Sequence, residues 1–461
     1  MTAPVARAAD TGACLRPGSA HEFCYHPLAS DDHQGAKHLK ITILAIGTRG
    51  DVQPCIALSR GLNAAGHSVT IAAFEDFATM VTSCGVPFHP ISGRMQDLIQ
   101  SEMSREIARS GGNLVKATRL MAEILDSLTG RFCEDLLNAC KGAETVIFST
   151  AAPHGYHLYA IPEALGLPCY PAYLFPMFGY DRVFPHPLWP VRASLGQAYN
   201  RLSHRFIEQL VWQPFRRTIN DWRKRILKLP PVPFWGPYGQ MSERPILCGY
   251  SAAVVPPPQP ETNWVHVTGF WFLDREPGWN PPTELEEFLN SGPSPVYIGF
   301  GSINFTESDD ALAVVCDALF RTKLRAVLLG TPAMPEGLLS DNIYVTRSIP
   351  FDWLFPRMAA VVHHGGAGTT ACGLRAGVPG VVIPFKGEQM FFGHMVARLG
   401  AGPRPLNRHH LTAEAVRDAL LQATNDNEMK RRARALGARL REEDGVGNAV
   451  ALFNRLVDGD T

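Results

Sequence analysis

From Leu39 the chain reads Leu-Lys-Ile-Thr-Ile-Leu-Ala-Ile before Gly47, an apolar, β-branched run closed by a turn residue. Such a run predicts a strand buried on both faces. Beyond Thr48-Arg49-Gly50-Asp51, the residues Val52, Ile56, Leu62 and Ala65 share one face of a helix that Gly66 stops. Ser68–Phe74 is a second apolar run, so the order strand, helix, strand predicts a βαβ unit opening a parallel sheet. Thr145–Ser149 adds a further strand to that half. The alternation then restarts in Val296–Phe300, Ala326–Leu329, Ile343–Val345, Ala360–Val362 and Val381–Ile383, and helical patterns close the chain at Ala413–Ala423 and Glu428–Arg441. The expected fold class is α/β, with two Rossmann-like doubly wound domains facing each other across a cleft.

Punctuation between the patterned stretches gives the boundaries. Residues 1–37 lack hydrophobic periodicity and read as a mobile, disordered extension. The N-terminal domain is expected over 38–255, a proline-rich linker over 256–282 and the C-terminal domain over 283–445. A terminal helix and tail over 446–461 is expected to cross back to the first domain, through Asn448–Leu456.

The length of 461 residues suits two domains better than one core, and 46% hydrophobic with 19% charged residues is a globular composition. Forty-three basic against 43 acidic residues argues against a nucleic-acid binder, which carries a basic excess. No apolar stretch is long enough for a transmembrane helix. Ten scattered cysteines without a paired Cys/His spacing give no disulfide framework or structural zinc, so a cytoplasmic location is expected. One region departs from the balance. Between Arg192 and Lys228, nine Lys/Arg face only Glu208 and Asp221, interleaved with aromatic and aliphatic residues such as Phe206, Trp212 and Trp222. Ordinary helices with a solvated basic face explain it first, and peripheral contact with the inner face of an anionic membrane second.

The densest chemical signal is Val362-His363-His364-Gly365-Gly366-Ala367-Gly368-Thr369-Thr370, where a strand passes through small residues into a helix. Backbone N–H groups at such a helix start favour anionic oxygens, so a diphosphate would be held there without a metal. At the other end of the chain, Asp51 follows the first strand at the edge where open α/β sheets place ligands. A carboxylate there can take the proton of an attacking hydroxyl, and it can also simply cap the following helix. Arg49 is given no role. The only Asp-x-Asp triplet is Asp458-Gly459-Asp460, in the tail, so metal-independent chemistry is expected.

The order Phe300-Gly301-Ser302, Ile349–Phe355, His363–Thr370, Gly377-Val378-Pro379 and Pro384–Gln389 resembles the donor-binding half of the UDP-glycosyltransferases. Gly47–Pro54 and Phe184-Pro185-His186-Pro187 are similar to motifs of the branch containing sterol glucosyltransferases and bacterial lipid, polyketide and glycopeptide glycosyltransferases. The resemblance covers roughly residues 39–440. It implies a B-type glycosyltransferase fold, with the nucleotide sugar in the C-terminal half and the acceptor in the N-terminal half. Ser302 would then meet the diphosphate or ribose, Trp353 the uracil, and His363, Gly366, Ala367, Gly368 and Thr369 the diphosphate. Glu388 and Gln389 would hydrogen-bond the donor hexose, with Glu standing where the family has Asp. Asp51 would be the general base. For the acceptor, His154 and the apolar stretch containing Phe175 and Phe184 are the candidates, with His186 minor, and a loop this apolar suits a hydrophobic ligand.

The expected activity is therefore an inverting transfer of a hexose, first of all glucose from UDP-glucose, to a hydroxyl of a sterol, lipid or polyketide. No cofactor or metal is expected beyond the nucleotide-sugar co-substrate. The competing readings are a non-catalytic nucleotide-sugar-binding protein, a sugar-nucleotide epimerase and a nicotinamide oxidoreductase. The last lacks Gly-x-Gly-x-x-Gly in its first turn, where Asp51 would repel a pyrophosphate.

Overall fold

A computed structural model describes residues 37–109, 114–149, 155–177, 183–189, 195–237, 244–258, 263–301, 305–330, 337–385 and 387–459. The extension expected over 1–37 lies, but for its last residue, outside them.

The first sheet has seven strands in the order β3-β2-β1-β4-β5-β6-β7, all parallel. They are β1 (Lys40–Ala45), β2 (Ser68–Phe74), β3 (Phe88–Ile91), β4 (Thr145–Ser149), β5 (Cys169–Tyr173), β6 (Ile246–Cys248) and β7 (Val265–Val267). The second sheet has six in the order β10-β11-β9-β8-β12-β13: β8 (Val296–Gly299), β9 (Ala326–Leu329), β10 (Gly337–Ser340), β11 (Ile343–Thr346), β12 (Ala360–His363) and β13 (Gly380–Val382). Only the β10–β11 pair at its edge is antiparallel. Strand order reverses at β1 in the first sheet and at β8 in the second. Doubly wound sheets bind ligands beyond the carboxyl ends of the strands at these points. Gly47–Asp51 follows β1, and Gly301 and His364 follow β8 and β12.

The expected strands are all present. One boundary moves: β7 falls inside the stretch expected as linker, so the first sheet runs to Val267 and the connection is shorter. A three-residue strand, Val-His-Val, carries too little pattern to stand out among prolines. The helix Thr283–Asn290 precedes β8 at the start of the second half.

The terminal helix Gly445–Asp458 does cross back. Ala449, Leu452 and Phe453 join the core beneath β1 and β2, and Phe453 meets Tyr170 edge-on at 5.2 Å. Its close approach uses Gly61, where a Cβ would lie 2.4 Å from Val446 Cγ1. His67 Nε2 and Asn454 Oδ1 share a buried hydrogen bond of 2.8 Å. The basic segment forms a helix, Gln197–Trp222, and a π turn, Arg223–Leu227. Ile207, Val211, Trp212, Phe215, Ile219 and Trp222 enter the first domain's core, so the apolar face is structural.

Candidate active site

Thr48 caps the helix Arg49–Ala64 from extended backbone, and Asp51 is its third residue. Asp51 Oδ2 accepts from the Thr48 N–H at 2.7 Å and from Thr48 Oγ1 at 3.1 Å, while Thr48 Oγ1 accepts from the Gly50 N–H at 3.3 Å. This is a capping box with aspartate as its acid. A Cβ on Gly47 would sit 2.2 Å from Asp51 Oδ2, so glycine makes room for the carboxylate. The capping reading of Asp51 thus holds, and the residue also lines a cleft of about 2410 Å³. Beneath it Cys55 is buried, its thiol pushed up to about 12 by burial first and the Asp51 charge second, which leaves it a core residue rather than a nucleophile. Arg49 lines the cleft too, its Nε donating to Gln53 Oε1 at 3.1 Å.

The opposite wall rises from β12. Successive side chains of an extended segment point to opposite sides, so the two histidines have different surroundings. His363, expected at the diphosphate, is only 2% exposed. Its Nδ1 accepts the Gly365 N–H at 3.0 Å, and burial, then His364, pulls its pKa down to about 3. It is a neutral interior group. The histidine lining the cleft is His364, seated between Gly301 and Gly366, where a Cβ would come within 2.9 Å and 2.4 Å of its ring. The expectation for His363 is corrected accordingly.

Gly366, Ala367, Gly368 and Thr369 line the cleft. Gly366 is the N-cap of the helix Ala367–Ala376 and supplies no side-chain cap. The first N–H groups of a helix have no intrahelical acceptor and carry its positive dipole end, so this wall is built for an anion. A Cβ on Gly368 would meet nothing within 4 Å, which marks open space on the cleft side. Thr370, behind it, donates its hydroxyl to the Gly366 carbonyl at 2.8 Å.

Glu388 and Gln389 begin the helix Gly387–Arg398 and both line the cleft. Gln389 Oε1 accepts the Phe385 N–H at 2.8 Å, which fixes the amide's orientation. Trp353 is a second correction. Its indole is buried, edge-on to Trp279 at 5.4 Å with the Arg357 guanidinium 4.3 Å above it, and the cleft wall here is Ile349, Pro350, Phe351 and Trp279 instead. Of the acceptor candidates, Phe175 lines the cleft. Phe184 does not; it packs on Phe391 at 5.5 Å in the core, and its carbonyl accepts from His204 Nε2 at 3.1 Å. His186 is likewise interior, with Nδ1 accepting from the Leu188 N–H at 3.1 Å. Ser302 and His154 lie outside the described residues.

Comparison with known proteins follows the same division. Residues 41–144 match the glycosyltransferase family 28 N-terminal domain, and residues 332–446 match the C-terminal domain of erythromycin biosynthesis protein CIII-like proteins. A sterol 3-beta-glucosyltransferase of Aspergillus fumigatus is 36% identical over 453 residues, covering 93% of this chain and 31% of its own length. One of Arabidopsis thaliana is 35% identical over 438 residues, covering 92% of this chain and 66% of its own. The chain belongs to the UDP-glycosyltransferase superfamily. Solved structures carry the fold: the kitacinnamycin glycotransferase superposes with a TM-score of 0.65 at 20% identity, covering 91% of this chain and 99% of that one. The glycosyltransferase VinC in complex with dTDP gives 0.62 at 18% identity, covering 91% and 100%. The chain spans about a third of the length of the fungal relatives it matches.

The wall that the first domain gives the cleft is mostly apolar. Phe74, Phe77, Met80, Leu98, Met121, Ile124 and Phe132 line it, from elements between β2 and β4. The sequence signal was present only as apolar positions on helices and at a strand end, which ordinary core packing also produces. The connection after β7 forms a further part of the wall and ties the halves together. Glu276 accepts from Arg60 at 2.9 Å, Asp274 pairs with Arg375, and Arg275 donates to Asp352 at 2.7 Å.

Proposed function

We propose that the chain is an inverting hexosyltransferase that moves a hexose, first of all glucose, from a nucleoside diphosphate sugar to a hydroxyl of a hydrophobic acceptor. The observation that carries this reading is the pairing, across one cleft, of the Asp51 carboxylate with the N-terminus of the helix Ala367–Ala376. The diphosphate lies against the N–H groups of Ala367–Thr369 and against His364. The base faces Ile349–Phe351, and the hexose hydroxyls meet Glu388 and Gln389. The apolar wall of the first domain presents the acceptor hydroxyl to Asp51.

In the reaction the acceptor oxygen gives its proton to Asp51 as it bonds to the anomeric carbon. The bond from that carbon to the diphosphate oxygen breaks, and the departing nucleoside diphosphate keeps the electron pair. Attack opposite the leaving group inverts the anomeric centre. Negative charge grows on the diphosphate at the transition state, so the helix N-terminus and His364 stabilise that state more than the ground state. A Gly47–Asp51 turn held by its own capping bonds positions the base without reorganisation. On this proposal the donor wall supplies the stabilisation from protein groups alone, and the EDTA arm of the assay below tests that. The sterol 3-beta-glucosyltransferase relatives and the apolar wall support a sterol-like or lipid acceptor.

The test is mass-spectrometric product detection with purified protein and excess EDTA. UDP- and dTDP-hexoses would be paired against sterols, other lipids and polyketides. A hexose adduct formed in EDTA is the expected result. Donor hydrolysis or rearrangement with no adduct on any acceptor would reject the proposal in favour of chemistry on the donor alone.

A further inference from the structure

Outside the cleft, the first domain exposes large apolar side chains where a solvated surface would carry polar ones. Leu202 is 67% exposed, Phe206 54%, Phe234 52% and Trp235 70%. Leu202 and Phe206 are one helical turn apart on the helix Gln197–Trp222, away from the buried row Ile207, Val211 and Phe215. Phe234 and Trp235 form the tip of a turn closed by the Gly236 N–H donating to the Pro233 carbonyl at 3.0 Å.

That turn is fastened to the same helix face. Gln209 Nε2 donates to the Trp235 carbonyl at 2.9 Å, and Gln213 Nε2 donates to that of Phe234 at 3.0 Å. Trp212 Nε1 adds a bond to the Phe234 carbonyl at 2.8 Å. Phe234 and Trp235 meet edge-on at 5.1 Å, and the Arg216 guanidinium lies 5.0 Å from the Phe234 ring. The aromatics are therefore held outward by a built support. The patch runs from Leu202 to Arg216, about 21 Å of helix at 1.5 Å per residue. Arg201, Arg205 and Arg217 are exposed on the same helix, and Lys224, Arg225 and Lys228 follow it. The acids in this stretch are Glu208, which Arg205 contacts at 3.5 Å, and Asp221.

We propose that this face is a docking surface for an anionic lipid bilayer, with the Phe234–Trp235 turn, Leu202 and Phe206 entering the interface and the flanking arginines and lysines meeting lipid phosphates. Exposed aromatics at a turn tip ringed by basic residues match the apolar and anionic layers of a membrane surface. The face adjoins the cleft. Trp189 packs edge-on against Phe206 at 5.5 Å, and its neighbour Leu188 lines the cleft, as does Val211 from the far side of the helix. A bilayer-resident acceptor would enter from the docked side; this consequence rests on the proposed function, whereas docking itself does not.

The test measures docking without donor or acceptor. The full chain is floated with phosphatidylcholine vesicles, plain or containing about 30% phosphatidylserine. Binding to the anionic vesicles is expected, roughly tenfold weaker for Phe206→Ser/Trp235→Ser and for Arg205→Glu/Arg217→Glu. Both variants are expected to keep the wild-type unfolding midpoint and activity on a water-soluble acceptor, because all four side chains are exposed. No binding by the wild type, or equal binding by the variants, would overturn the proposal. So would a wild-type dimer that the aromatic variant converts to monomer, since the patch would then be a contact between copies. Vesicle binding without any glycosyl transfer would instead sink the proposed function and leave docking standing.

Discussion

His363 and His364 are adjacent in the chain and opposite in environment, so their substitutions separate structure from chemistry. His364→Ala is expected to lower turnover about 100-fold, the scale of one lost donor to a developing anion, with little change in unfolding midpoint. His363→Ala leaves the buried Gly365 N–H without its acceptor and is expected to cost about 1–3 kcal/mol of stability in chemical denaturation. The depressed pKa of His363 adds a pH signature. The unfolded chain takes up a proton below about 6.5 that the folded chain refuses until about 3. Its contribution to stability is therefore complete above about pH 6.5 and declines as pH falls through that window. His363→Asn keeps an acceptor for Gly365 but does not titrate, so the fall in unfolding midpoint between pH 7 and 4.5 is expected to be smaller than in the wild type. An equal fall would contradict this. The histidine pair was plain in the sequence. Which of the two faces the cleft depends on where β12 ends, a parity that residue types do not encode.

The same limit operates on short elements. In the helix Phe351–Leu354 residues two apart point about 200° away from each other. With Phe351 on the cleft wall, Trp353 turns into the core, although an indole is the more obvious partner for a base. Trp353→Ala is expected to cost about 3–5 kcal/mol of stability, and Phe351→Ala to weaken donor binding with a much smaller loss. Calorimetric titration with UDP and urea unfolding would show whether the two effects separate. Long buried runs such as β1, β2 and β4 were legible because nothing else concentrates β-branched residues so densely. The strand β7 was not, since three residues carry too little pattern. The crossing of the terminal helix is open to the same test. Phe453→Ala is expected to cost about 3–5 kcal/mol, because that ring is fully buried against the first domain rather than the second.

At the scale of the molecule, two sheets present their switch points to one cleft, and a connection with ion pairs to both halves spans its edge. Asp51 was legible as a residue after the first strand, and the anion-binding wall as a run of small residues before a helix. Their joint occupancy of one cleft follows from topology. The apolar wall of the first domain was not legible, because Met80, Leu98 and Met121 look like core until the sheets are placed. Glu388, in place of the family aspartate, shares its wall with Gln389 and His364, so on the proposed function it would bear on donor choice.

The central claim is that Asp51 acts as the base in transfer across this cleft, and Asp51→Asn tests it most directly. Asparagine retains an oxygen for the Thr48 capping bonds, so fold and donor binding should survive. With donor and acceptor both saturating, turnover is expected to fall about 100- to 10,000-fold while the donor dissociation constant stays within a few-fold of wild type. Turnover within a few-fold of wild type at unchanged donor affinity would contradict the claim and reduce Asp51 to a helix cap.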